Sequence, residues 1–105
     1  MAYGLDKYQS RENRTRVRTL FMEQWDPIGV RGCEGAEDEY DTYADKAYVM
    51  LMQDRAAAET IADYLLNVAT DRMGFSVDAG LVNASKRTAE MLGSMRPQFE
   101  TFINE

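Results

Sequence analysis

The residues of this chain best suited to chemistry are carboxylates at helical spacing. Glu37, Asp41 and Asp45 stand four apart and would line one face of a helix, while Glu34 and Asp38 form a second such pair. Hard oxygen donors in that pattern can hold magnesium or calcium, and a close pair can work as acid and base once repulsion raises one pKa. Asp26, from the loop ahead of them, can join the set. The chain has no Glu-x-x-His and no calcium-loop spacing, so these groups have a simpler role as well. At the positive end of a helix dipole each is stabilised by a few tenths to about 1 kcal/mol, on a solvated face. Opposite in sign, Arg11, Arg14 and Arg18 recur along one side of an earlier stretch, a spacing that can grip phosphates. They lack interleaved aromatics for base stacking, and the simpler reading pairs them with carboxylates or leaves them solvated.

Composition narrows the chemistry further. The 105 residues include no His, so Ser-His and Cys-His nucleophile pairs, two-His metal motifs and imidazole proton shuttles are excluded. The lone Cys33 makes no internal disulfide and points to a reducing, bacterial-type cytoplasm. Twelve Lys and Arg against 18 Asp and Glu give a net charge of -6, which works against nucleic-acid or anionic-lipid binding over the whole surface. The first residues, Met1 to Lys7, lack the apolar core of an export signal, and the longest purely apolar run is Val49 to Met52. A soluble cytoplasmic domain without cofactor is the expectation.

Charge is segregated along the chain. Lys7, Arg11, Arg14, Arg16 and Arg18 crowd the beginning, and no Lys or Arg lies between Glu34 and Asp45 until Lys46. The two blocks can face each other within the fold or face different partners.

The elements that must position these residues are helices. Ser10 can cap a first helix reaching about Gln24, with Val17, Leu20, Phe21 and Trp25 near one face and residues 1–9 left as an N-terminal arm. Asp26-Pro27 stops it, and Gly29, Gly32 and Gly35 keep the following segment in loop conformation. In that loop Trp25 anchors in the core, Asp26 accepts backbone amides, Pro27 fixes the turn and Gly29 supplies a conformation other residues resist. Neither GxGxxG nor GxxxxGK spacing occurs there, so nucleotide binding has no motif. A second helix is expected to open at 36–39, carrying Tyr40, Tyr43, Ala44, Ala47 and Leu51 at helical spacing. A third carries Ala58, Ile61, Ala62, Leu65, Val68 and Ala69, after a break near Asp54 to Ala57, and ends at Gly74. A fourth runs from about Leu81 to Gly93 with Leu81, Ala84, Ala89, Met91, Leu92 and Met95 near its inner side. Pro97 breaks it before a terminal stripe of Phe99, Phe102 and Ile103. No alternating β-branched run appears, and the chain reads as one all-α domain, a compact irregular bundle of four to five helices spanning 1–105.

The string Trp25-Asp26-Pro27-Ile28-Gly29-Val30, then Glu39-Tyr40-Asp41, then Arg72-Met73-Gly74 resembles a group of small uncharacterised bacterial helical proteins. These share a WDPIGV loop, an EYD helix start and an RMG helix end. The resemblance covers roughly residues 20–75 and implies a cytoplasmic bacterial helical domain. It implies no activity, so no catalytic residue is carried over.

With catalysis unsupported, the leading expectation is a non-enzymatic interaction protein that binds another protein or itself. An immunity or inhibitor role belongs to that class, because a small acidic protein can cover a basic groove of its target. Its candidate surfaces are Glu37, Asp38, Asp41 and Asp45 on one side and Arg11, Arg14 and Arg18 on the other. Two alternatives stand beside it: a divalent-metal site built from the carboxylates, and a nucleic-acid-associated regulator acting through the Arg-rich helix.

Overall fold

Each helix forms because its buried residues recur every three or four positions. The computed structural model describes residues 7–27, 29 and 40–100; the expected roles of Cys33, Glu34, Glu37, Asp38, Phe102 and Ile103 lie outside the described residues. Among the described residues the elements are helices without strands: α1 (Lys7–Leu20), α2 (Asp41–Met52), α3 (Ala58–Asn67) and α4 (Ala79–Glu100). α1 and α3 each run on into a wider π-helical turn, Phe21–Trp25 and Val68–Arg72. The protein is all-α.

α1 begins earlier than its Ser10 suggests. Helical geometry is in place at Lys7, so residues 7–9 form the first turn rather than an arm. The Ser10 hydroxyl, inside the helix, accepts a hydrogen bond from Arg14 Nη1 at 2.8 Å instead of capping amides. α2 is described from Asp41, with Tyr40 as its flanking residue, and the expected start at 36–39 lies outside the described residues.

The helix ends share one device. Asp26 N–H donates to Phe21 O, Asp54 N–H to Val49 O and Met73 N–H to Val68 O, each five residues back; α1 and α3 widen into π-turns there, while α2 stays α-helical through Gln53 and adds the longer bond just beyond it. A left-handed residue then turns the chain away: Asp26 (φ 37°), Arg55 (φ 53°) and Gly74 (φ 80°). Only Gly74 adopts that conformation without steric cost, and Arg55 accounts for a helix break in a stretch with neither Gly nor Pro. Arg96 secures the break from outside. Its Nε donates to Leu51 O and its Nη2 to Ala56 O, both at 3.2 Å, so a carbonyl on each side of the turn is bound to α4.

α4 departs from expectation by passing through Pro97 to Glu100 as one helix of 22 residues. The proline costs one backbone hydrogen bond near the C-terminus, where carbonyls lose partners anyway. On either side the turn is fastened: Arg96 by its two carbonyl bonds, Phe99 by full burial, an edge-on contact with Tyr48 at 5.7 Å and the Arg16 guanidinium 5.4 Å above its ring. The inner face of α4 keeps most of the apolar stripe read from sequence, with Leu81 and Met95 packed against the core, but it adds polar residues and loses Met91. Ser85, Thr88, Ala89, Leu92 and Phe99 are buried, whereas Met91 is exposed.

The core is a single cluster. Val17, Leu20, Phe21 and Trp25 from the first helix and its π-turn meet Tyr40, Ala44, Ala47 and Leu51 of the α2 region, Ile61, Leu65 and Val68 of α3, and Leu92 and Phe99 of α4. α3 lies along α4 in the most extensive helix pairing, and Ala62, Ala69 and Ala89 keep that side of the cluster thin. No helix among the described residues is long and apolar enough to cross a membrane.

Because Phe99 holds the turn beyond Pro97, Phe99→Ala is expected to cost about 3–5 kcal/mol, and Met91→Ala to stay within about 0.5 kcal/mol of wild type. Urea unfolding followed by Trp25 fluorescence checks both; a Phe99→Ala loss below about 1 kcal/mol would show that α4 ends at the proline.

Candidate functional site

Two residues of each charge block, Arg14 and Arg18 and Asp41 and Asp45, meet across α1 and α2. Arg18 Nε approaches Asp41 Oδ1 at 3.1 Å, and Asp45 Oδ1 lies 3.5 Å from Arg14 Nε and 3.6 Å from Arg18 Nη2. These are ion pairs by proximity; neither Arg18 Nε nor Asp45 Oδ1 meets the angles of a hydrogen bond. The four side chains are about one-third to one-half exposed, so water screens them and each pair contributes about 0.2–1 kcal/mol. Behind them Asn13 is buried and its amide donates to the Tyr48 hydroxyl at 3.1 Å, while its carbonyl accepts from Gln9 Nε2. Arg11 is exposed one turn before Arg14, outside this ladder.

This arrangement changes what the sequence-read candidates can do. A cation bound by Asp41 and Asp45 would have to displace two guanidinium groups already seated there. Phosphate bound by Arg14 and Arg18 would have to displace two carboxylates. Among the described residues no three acidic or sulfur ligands converge on a point where a metal could sit.

The loop residues are held by one carboxylate. Asp26 Oδ1 accepts the Tyr40 hydroxyl at 2.8 Å and the Gly29 amide at 3.1 Å, and Gly29 takes a left-handed φ of 79°. Trp25 is buried between Phe21 and Tyr40, with ring centroids 5.4 Å from each, and Pro27 is half-buried beside it. This loop ties the end of α1 to the start of α2.

A different place holds chemistry the sequence did not single out. A groove of about 380 Å³ opens between α2 and the end of α3, lined by Thr42, Tyr43, Lys46, Tyr64, Asn67, Val68, Asp71 and Arg72. Its far wall is the π-turn Val68–Arg72. The widened turn places Asp71 and Arg72 at the groove's rim while Val68 stays in the core.

Pairing singles this groove out. Arg14 and Arg18 face carboxylates, Arg16 bonds Gln98, Arg87 bonds Gln24 and Arg96 bonds two backbone carbonyls. Among the described side chains, the cations that make no hydrogen bond or ion pair are Lys46, Arg72 and Lys86. Two of those three line the same groove. Lys86 instead sits in a groove with Glu59, Asp63 and Glu90, where three carboxylates surround one cation.

Tyr64 is the groove's donor. Its half-buried hydroxyl donates to Tyr43 O at 3.5 Å, the outer limit of a hydrogen bond, so most of its donor capacity is unused. Burial pushes its pKa up to about 12, Tyr43 adds to the rise and Arg72 opposes it. The hydroxyl therefore stays protonated throughout the physiological range.

The chain matches no family model, no curated protein and no solved structure, so the site is read from its own geometry.

The Tyr64 shift has a checkable consequence. Its folded pKa lies above the ordinary tyrosine value, so its contribution to stability is intact below about pH 10 and is lost as pH rises toward 12. Urea unfolding of wild type should show that decline, and Tyr64→Phe should decline less over the same range. Equal declines would remove the buried, protonated donor from the account.

Proposed function

We propose that this protein is a compact helical bundle of the bacterial cytoplasm that acts as a non-enzymatic interaction module, binding another protein or a second copy of itself. The observation that supports the reading is the convergence of Lys46 and Arg72, both without partners among the described residues, with Tyr43 and Tyr64 in one open groove. Tyrosine and arginine are enriched where proteins bind each other, because a rigid ring covers apolar area and its hydroxyl still bonds. The groove, not the Arg14/Arg18 and Asp41/Asp45 blocks, is then the surface offered to a partner. Those four residues pair with one another at the solvent edge and reinforce the position of α2, whose other side is presented. An inhibitor or immunity role stays within this class, with the net charge of -6 favouring encounter with a basic target.

A photo-activatable amino acid placed at Thr42 or Asn67, on the groove, and separately at Glu90, on α4, tests the proposal in the cell of origin. Groove positions are expected to give one discrete adduct, identified by mass spectrometry as a single partner or as the chain itself, and Glu90 to give none. No adduct from the groove, or the same adducts from all three positions, would overturn it.

A further inference from the structure

The groove's charges specify what it would hold. Its lining carries two cations, Lys46 and Arg72, and one carboxylate, Asp71, a net of one positive charge on a chain whose total is -6. Asp71 forms no ion pair with either cation, so both keep their full donor sets. The same groove holds the Tyr64 hydroxyl, protonated and weakly used. A carboxylate matches this set: Arg72 offers a planar pair of donors, Lys46 a mobile ammonium and Tyr64 an O–H.

We propose that the groove receives an Asp or Glu side chain from an acidic segment of a protein partner. This rests on the interaction reading above and adds the partner's chemistry to it. A phosphate dianion fits less well, because its second charge would stand against Asp71 and against the carbonyl end of α3, where the helix dipole is negative. The chain's overall negative charge does not forbid the contact. At physiological ionic strength charges are screened beyond about 8 Å, so the cations at the rim govern what happens at contact range. The volume of about 380 Å³, open along one side and walled by two tyrosine rings, suits a short extended segment rather than an enclosed metabolite. The groove between α3 and α4 has the opposite character, with Glu59, Asp63 and Glu90 around Lys86, and serves as the internal comparison.

The test uses the full chain, isotopically labelled, titrated with acetyl-tetraglutamate-amide near physiological salt. Amide shifts are expected to concentrate in residues 42–46 and 64–72. Arg72→Gln should weaken binding at least fivefold and Lys86→Gln should leave it unchanged. Acetyl-tetraglutamine-amide should produce no shifts, and inorganic phosphate at equal concentration should not reproduce the pattern. The proposal is overturned if shifts follow every exposed cation, if the glutamine peptide binds equally, if phosphate gives the same pattern, or if Arg72→Gln binds normally. Cross-linking from Thr42 or Asn67 alongside any of these failures would retain the interaction surface and discard only its acidic ligand. Absence of cross-links with positive peptide binding would do the reverse.

Discussion

One buried contact sets the register of the first two helices: the Asn13 amide donating to the Tyr48 hydroxyl, with both residues nearly inaccessible to water. A polar pair in that position is satisfied in one alignment of α1 against α2, and sliding either helix by a turn would leave both groups buried and unbonded at a cost of about 1–3 kcal/mol each. In the satisfied alignment Arg14 and Arg18 come level with Asp45 and Asp41 at the solvent edge. The ion pairs are a consequence of the register and a modest reinforcement of it. Once α2 is fixed on that side, Thr42, Tyr43 and Lys46 are turned toward α3 and become one wall of the groove.

A second constraint comes from the helix ends. Each of α1, α2 and α3 closes with a bond five residues long followed by a left-handed residue that turns the chain away. At the end of α3 this turn carries Asp71 and Arg72 out of the helix line and onto the groove. At the end of α2 it brings two carbonyls under Arg96, which fastens α4 across the break. Backbone geometry that serves to end helices thus also places the charges that remain outside the ladder.

Much of the fold was readable from the chain because it depends on local spacing. The apolar stripes of α2 and α3, the absence of alternating strands and the Gly74 end are signals within a few residues of one another. What escaped depends on distant partners. Pro97 looked like a stop because the fastening by Arg96, Phe99 and Arg16 comes from residues up to 83 positions away in the chain. On the inner face of α4 the pattern found Ala89, Leu92, Leu81 and Met95, but buried Ser85 and Thr88 interrupt it and Met91 imitates it from the exposed side. For the charges, spacing named Asp41, Asp45, Arg14 and Arg18 but left open whether they would face each other. Lys46 and Arg72 carried no signal at all, since being unpaired is a property of the folded surroundings. Tyr43 and Tyr64, 21 residues apart on two helices, likewise become neighbours only after the break at Arg55.

The central claim is that Arg14 and Arg18 are paired with Asp41 and Asp45 within the fold, so that the unpaired cations Lys46 and Arg72 of the tyrosine groove are the ones offered to a partner. A double-mutant cycle on Arg18→Gln and Asp41→Asn, measured by urea unfolding at low and high salt, tests it most directly. The expected result is a coupling energy of about 0.5–1 kcal/mol at low salt that fades in about 1 M NaCl. Additive effects of the two substitutions at low salt would contradict the claim and return both blocks to the list of surfaces available to a partner.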